Sequence, residues 1–212
     1  MPNLYEDANG VIRAVVDRLG SDLEPSILIG GWATFVRVGG EISLDIDLIT
    51  SQQSRHKLEQ MMTDLSPSNN HQGRKLRATF DDVHLDIYLP FESQLGSKLR
   101  LKVEVLAEYP DELSFEKWTL LRLEAHIGTK MAALLDRHFS EKGQKDAREI
   151  LALLKLEGVD PVIAAEVLDR ASTLDILNLP TMIGEAFDLI GAILPLSKAD
   201  QKIVAAAKKS WV

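Results

Sequence analysis

Two stretches of this chain alternate apolar and polar residues without a break. Ile42, Leu44, Ile46 and Leu48 are interleaved with Ser43, Asp45 and Asp47; Val83, Leu85, Ile87 and Leu89 are interleaved with His84, Asp86 and Tyr88. Period two is the signature of a strand with one buried face. It also dictates direction. Asp45 and Asp47 leave their strand on the same side, and Asp86 leaves the polar side of its own. If the two strands are neighbours, three carboxylates converge.

The rest of the chain reads around these strands. Leu4, Ala8, Val11, Ile12, Val15, Val16 and Leu19 have helical spacing. A short apolar run at 27–29 leads into Gly30-Gly31, and a helix is expected over 32–38, stopped by Gly39-Gly40. Residues 55–65 read as a helix and 66–73 as a polar loop. Leu76, Ala78 and Phe80 predict a strand turning at Asp81-Asp82. Leu99, Leu101, Val103 and Val105 alternate with charged residues and predict another strand. After Pro110 only helices are expected, over 120–138, 143–157, 161–171, 182–193 and 198–209. Asp160 before Pro161 is an N-cap signal, and Ser197 with Asp200 is a capping pair. The predicted class is α+β: a mixed αβ domain over 1–112 and a helical domain over 113–212.

Composition narrows the chemistry. The 212 residues include no cysteine, which excludes thiolate zinc sites and thiol nucleophiles. The formal net charge of −8 argues against a surface that coats nucleic acid broadly. The N-terminal segment reads as lacking a secretory signal, and the apolar runs are too short to span a bilayer. The expectation is a soluble cytoplasmic protein. No Walker A, G-x-S-x-G or H-x-x-x-H pattern occurs.

Three converging carboxylates repel one another and call for a cation. Mg²⁺ suits them, being a hard ion held by one or two carboxylates together with substrate phosphates. Two such ions, roughly 3.5–4 Å apart, stabilise both oxygens of an in-line phosphoryl displacement. Asp45 and Asp47 are then ligands. Asp86 ligates the second ion or helps deprotonate an acceptor hydroxyl. Gly30 and Gly31 allow a ligand to approach the backbone, and a helix opening after them turns its free N–H groups toward phosphates. Ser43, on the face of Asp45 and Asp47, has a hydroxyl to donate.

GGWA at 30–33, SLDIDL at 43–48, VHLDIYLPF at 83–91, KMAALLDR at 130–137 and KDAREILALL at 145–154 together resemble the nucleotidyltransferase superfamily of the DNA polymerase β type. Within it they look like the AbiEii-type toxin group. The resemblance spans about residues 26–155. It implies metal-dependent transfer of a nucleoside monophosphate from an NTP to an acceptor such as RNA or tRNA. It implies two Mg²⁺ ions, with Mn²⁺ as an alternative, and a cognate antitoxin protein as a partner. It places Asp45, Asp47 and Asp86 on the metal, Gly30, Gly31, Ser43, Lys130 and Arg137 on the nucleotide, and Asp146 and Glu149 behind Lys130 or Arg137. Lys130 also counts among the catalytic residues on this resemblance. Gly40, Glu41 and Ile42 stand where members often carry basic residues, and Lys145 stands where arginine is commoner.

Other readings of the same residues remain open. GGWA also resembles aminoglycoside and lincosamide nucleotidyltransferases, although Phe35 replaces their aspartate and their T-R-x-H is missing. A non-catalytic nucleotide- or partner-binding module is the third reading. Trp32 could stack on a nucleobase or belong to the core. Arg74, Lys75, Arg77, Lys98, Arg100 and Lys102 form two basic rows, read as solvated strand edges in preference to an RNA track because no aromatic residues are interleaved with them.

Overall fold

Val83 to Tyr88 is a strand because its apolar residues can all enter one core, and the structure, a computed structural model, buries Val83, Leu85 and Ile87 to within 1% of full burial. The structure describes residues 8–62, 64–68, 75–111, 118–175 and 178–212. Leu4, Arg74, most of the expected loop at 66–73 and the expected boundary at 112 lie outside the described residues. Backbone contacts divide the chain into two compact units. One is Met1–Gln94 with Pro110–Leu121; the other is Leu95–Tyr109 with Arg122–Val212. The class is α+β, with a mixed sheet and its helices first and a helical region afterwards.

In chain order the strands are β1 (Ile27–Ile29), β2 (Asp45–Ile49), β3 (Ser66–Pro67), β4 (Leu76–Phe80), β5 (Val83–Tyr88), β6 (Gln94–Leu95), β7 (Leu101–Lys102) and β8 (Thr119–Leu120). The helices are α1 (Ala8–Asp22), α2 (Gly30–Val38), α3 (Arg55–Met61), α4 (Val103–Leu106), α5 (Leu123–Arg137), α6 (Glu141–Leu154), α7 (Pro161–Ala171), α8 (Asn178–Ile193) and α9 (Lys198–Trp211).

The sheet of the first unit runs β3-β4-β5-β2-β1-β8 among the described residues. β4 and β5 form a hairpin whose two-residue turn, Asp81-Asp82, has both φ angles positive, at 48° and 65°. Such turns match the right-handed twist of the strands they join. β5 then lies parallel to β2, and β2 antiparallel to β1. The stripe Ile12, Val15, Val16 and Leu19 of α1, with Leu23 just beyond its end, shares a core with Ile46, Leu48, Leu85 and Ile87 from the sheet and with Trp32 from α2. Each fully buried aliphatic side chain contributes about 1.5–3 kcal/mol before entropy is counted. α2 ends at Gly39, whose φ of 71° suits glycine and whose N–H reaches Phe35 O at 2.8 Å.

In the second unit α5 is buried along most of its length. Its two buried charges have partners. Glu124 accepts from Arg122 Nε at 3.1 Å and from the Asp160 N–H at 2.8 Å, which links the start of α5 to the cap of α7. Asp160 caps α7 through the Val162 N–H, and Ser197 caps α9 through the Asp200 N–H, as their spacing predicts.

Three expectations need correction. The strand over 99–105 is only Leu101–Lys102, and the chain then coils into α4, burying Val103 and Leu106 one turn apart. The alternation continues to Val103 only because that residue also begins a helical stripe. The helix expected from 120 begins at Leu123, and Thr119–Leu120 instead form an edge strand parallel to β1. The strand expected from 42 begins at Asp45, so Leu44 is exposed and the face rule does not reach Ser43. No helix among the described residues is long and apolar enough to cross a membrane.

Candidate active site

The register of three adjacent strands builds the site in the first unit. β5 pairs with β2 so that Asp86 lies across from Asp47 and His84 across from Asp45. β1 pairs with β2 so that Asp47 lies across from Ile29, the residue before Gly30. Asp47 is thus flanked by Asp86 on one side and by the opening of α2 on the other. Asp45, two residues earlier, shares its face and is exposed.

Gly30 has φ +69°, and a β-carbon placed on it would stand 2.1 Å from Asp47 Oδ2. Only glycine fits there, both for the angle and for the space. Ile29, the N-cap of α2, is extended and offers no side-chain cap. The first turn of this nine-residue helix therefore presents backbone donors beside a carboxylate-bearing strand.

Asp86 is already engaged. Lys75 donates from Nζ to Asp86 Oδ2 in a very short contact, and Arg77 Nε donates to Oδ1 at 3.1 Å. Lys75 is 7% exposed, and this carboxylate is its counter-charge. Sequence reasoning set Lys75 and Arg77 aside as strand-edge cations. A usable signal existed: with the turn at Asp81-Asp82, hairpin register places Arg77 across from Asp86, as observed.

Asp45 and Asp47 supply two hard oxygen donors on one face, which fits a single Mg²⁺ that also holds substrate phosphates. A second ion at Asp86 would share the carboxylate with the cations of Lys75 and Arg77, one on each oxygen. Among the described residues no three of His, Cys, Asp or Glu are grouped as a cation cage.

Other expected site residues stand as follows. Gly31 is buried in the first turn of α2. Ser43 is half-buried in the loop before β2. Trp32 is 1% exposed and stacks on Phe35 with ring centroids 5.2 Å apart, so it belongs to the core and is no platform for a base. Arg37, which the sequence reading left out, is largely buried and donates from Nη2 to Asp111 Oδ2 at 2.6 Å and to Leu121 O at 2.5 Å.

Lys130, Arg137, Asp146 and Glu149 come together within the second unit. Lys130, 5% exposed, donates to Glu149 Oε2 at 2.5 Å and to Asp146 Oδ1 at 3.5 Å. Arg137 Nη1 donates to Asp146 Oδ2 at 2.9 Å. The chain of charges joins α5 to α6. Burial pushes the Glu149 carboxyl above its ordinary 4.5 even though Lys130 pulls the other way. Asp136, beside Arg137 in α5, accepts the N–H groups of Ser97 and Lys98.

No family model and no curated protein matches this sequence. Among solved structures the chain is similar to an antigenic nucleotidyltransferase-like protein from Paracoccidioides brasiliensis. The identity is 15%, the TM-score 0.46, and the alignment covers 91% of this chain and 95% of the other. A likeness of that degree carries no chemistry with it; the arrangement of Gly30, Asp47 and Asp86 is a property of this chain's own strands.

Proposed function

We propose that this chain is a nucleotidyltransferase that uses a divalent cation to transfer a nucleoside monophosphate from an NTP to an acceptor hydroxyl. The observation that carries the reading is the placement of Asp47 between the Gly30 backbone and Asp86 on three adjacent strands. Asp45 and Asp47 would hold the ion, Mg²⁺ or Mn²⁺, which would supply charge neutralisation at the phosphates. The Gly30-Gly31 backbone and the first N–H groups of α2 take phosphate oxygens, and Ser43 adds a hydroxyl donor. The acceptor oxygen bonds to the α-phosphorus, the bond to the bridging oxygen of the β-phosphate breaks, pyrophosphate leaves and the hydroxyl proton passes to water. In the second unit Lys130, Arg137, Asp146 and Glu149 tie α5 to α6.

The acceptor in this reading is RNA, for example a tRNA 3′ end, and the partner is an antitoxin protein, in keeping with the motifs that resemble AbiEii-type toxins. Incubation with Mg²⁺, labelled NTPs and total RNA tests it. Label is expected on RNA with wild type and absent with Asp45→Ala. Label on no acceptor, with no effect of the substitution, would sink the proposal. Label on an aminoglycoside or lincosamide would move the acceptor to a small molecule.

A specific observation favours a second reading, that of a nucleotide-binding module without turnover: Asp86 is bound to two cations, Lys75 just before β4 and Arg77 within it. Calorimetric NTP binding with no product would select it.

A further inference from the structure

The turn between α5 and α6 holds an aromatic ring out into solvent. Phe139 is 60% exposed, yet the backbone on both sides of it is fixed. His138, just before it, has φ 47°, a left-handed angle for a residue with a side chain. The His138 N–H reaches Leu134 O at 2.8 Å, and Lys98 Nζ donates to His138 Nε2 at 2.6 Å. Ser140, just after, caps α6 through the Gly143 N–H at 3.1 Å, and Gln144 Nε2 donates to Phe139 O at 3.3 Å. Gly143 admits the close approach: a β-carbon on it would stand 1.9 Å from the His138 carbonyl oxygen.

The helix that starts at this turn sorts its charges. Two of its carboxylates face inward: the side chains of Asp146 and Glu149 are 2% and 11% exposed and answer Lys130 and Arg137. Its cations face outward. Lys142 and Arg148 are exposed and Lys145 is half-buried. Their spacing of three residues puts them within about 120° of one another around the helix. Glu141, in the first turn, is the carboxylate that α6 leaves exposed beside them. On a chain of net charge −8 such a row of cations is a local feature, and it limits where a polyanion can approach. Cations along a helix suit backbone phosphates, and an exposed ring beside them suits an unstacked base. A duplex, whose bases are stacked on one another, has no use for the ring.

We infer that Phe139, Lys142, Lys145 and Arg148 form a binding surface for a single-stranded RNA segment, with one base stacked on the ring and the neighbouring phosphates along α6. That the polyanion is RNA rests on the acceptor proposed above. The surface itself lies within the second unit and needs no turnover.

Fluorescence anisotropy on the full chain tests this. The probe is a labelled single-stranded RNA of about a dozen nucleotides, within the span of one such site. Wild type is expected to bind it more tightly than the same RNA in a duplex. Phe139→Ala should weaken binding at least about fivefold, the low end for one lost stack, while Phe139→Trp keeps the wild-type affinity. Lys142→Gln combined with Arg148→Gln should flatten the dependence of log affinity on log salt by about 1.4, at ~0.7 for each phosphate contact. Thermal unfolding checks that each variant folds. No binding by wild type, equal binding by Phe139→Ala, or a Phe139→Ala defect confined to self-association would overturn the inference and leave the nucleotidyltransferase reading standing. Wild type that binds the probe through Phe139 but passes label to no RNA would sustain the surface and remove RNA as the proposed acceptor.

Discussion

The carboxylate of Asp47 occupies the space in which a side chain on Gly30 would begin: a β-carbon there would be 2.1 Å from Oδ2 and 2.8 Å from Cγ. A turn glycine and a strand aspartate, seventeen residues apart, are thereby parts of one structure. Neither can change size without moving the other.

Gly30→Ala should therefore destabilise the first unit by about 1–3 kcal/mol, combining a left-handed backbone angle with the clash. Urea unfolding measures the loss. Nucleotide transfer should fall further than stability does, because Asp47 is displaced. A variant as stable as wild type would show that Asp47 simply swings away.

Asp45→Asn and Asp47→Asn should differ. Asp45 is exposed, and its loss should leave stability within about 0.5 kcal/mol of wild type while cutting transfer at least about 100-fold. Asp47 packs against Gly30, so its substitution should affect both. Thermal unfolding alongside label transfer separates the two effects, and equal activity in Asp45→Asn and wild type would contradict the assignment.

Arg37→Ala should cost about 3–5 kcal/mol, the typical penalty for stripping one partner from a buried ion pair. It leaves both Asp111 and the Leu121 carbonyl without the guanidinium that now bridges them. Arg37→Lys should recover only part of the loss, since an ammonium cannot reproduce the fork that serves two acceptors. Denaturant titration of the three proteins provides the comparison.

Glu149 makes a pH prediction. Its folded-state carboxyl titrates above the ordinary 4.5, chiefly through burial. The folded protein then holds this proton more tightly than the unfolded chain. The stability it contributes is fully present below the ordinary value and is lost as pH rises through the folded one. Wild type should lose more stability than Glu149→Gln between pH 4.5 and neutrality. A constant difference between the two across that range would refute the shift.

Much of the first unit could be read from residue order, and the reasons are local. The alternation in β5 and the Asp81-Asp82 turn define a hairpin, and that turn fixes every pair in it, Arg77 with Asp86 included. The α7 boundary follows from Asp160 and Pro161, because a side-chain acceptor and a preset φ both act within one turn. Where local signals conflict, the reading failed. Val103 serves a strand alternation and a helical stripe equally well, and burial of Leu106 decides for the helix. Thr119–Leu120 is a two-residue edge strand with no periodicity of its own; only β1 beside it makes it a strand.

For the candidate site the division is similar. The sequence alone determined that Asp45 and Asp47 share a face and that Asp86 leaves the polar side of its strand, because side-chain direction in a strand depends only on counting. Tertiary structure decided what those carboxylates meet. It set β5 beside β2, pressed Asp47 against Gly30, and drew Lys75 inward to Asp86. It also closed α5 and α6 around Lys130. These contacts join residues far apart in the chain. They are chosen by how the apolar faces pack and by the need of each buried charge for a partner, neither of which any short stretch of sequence contains.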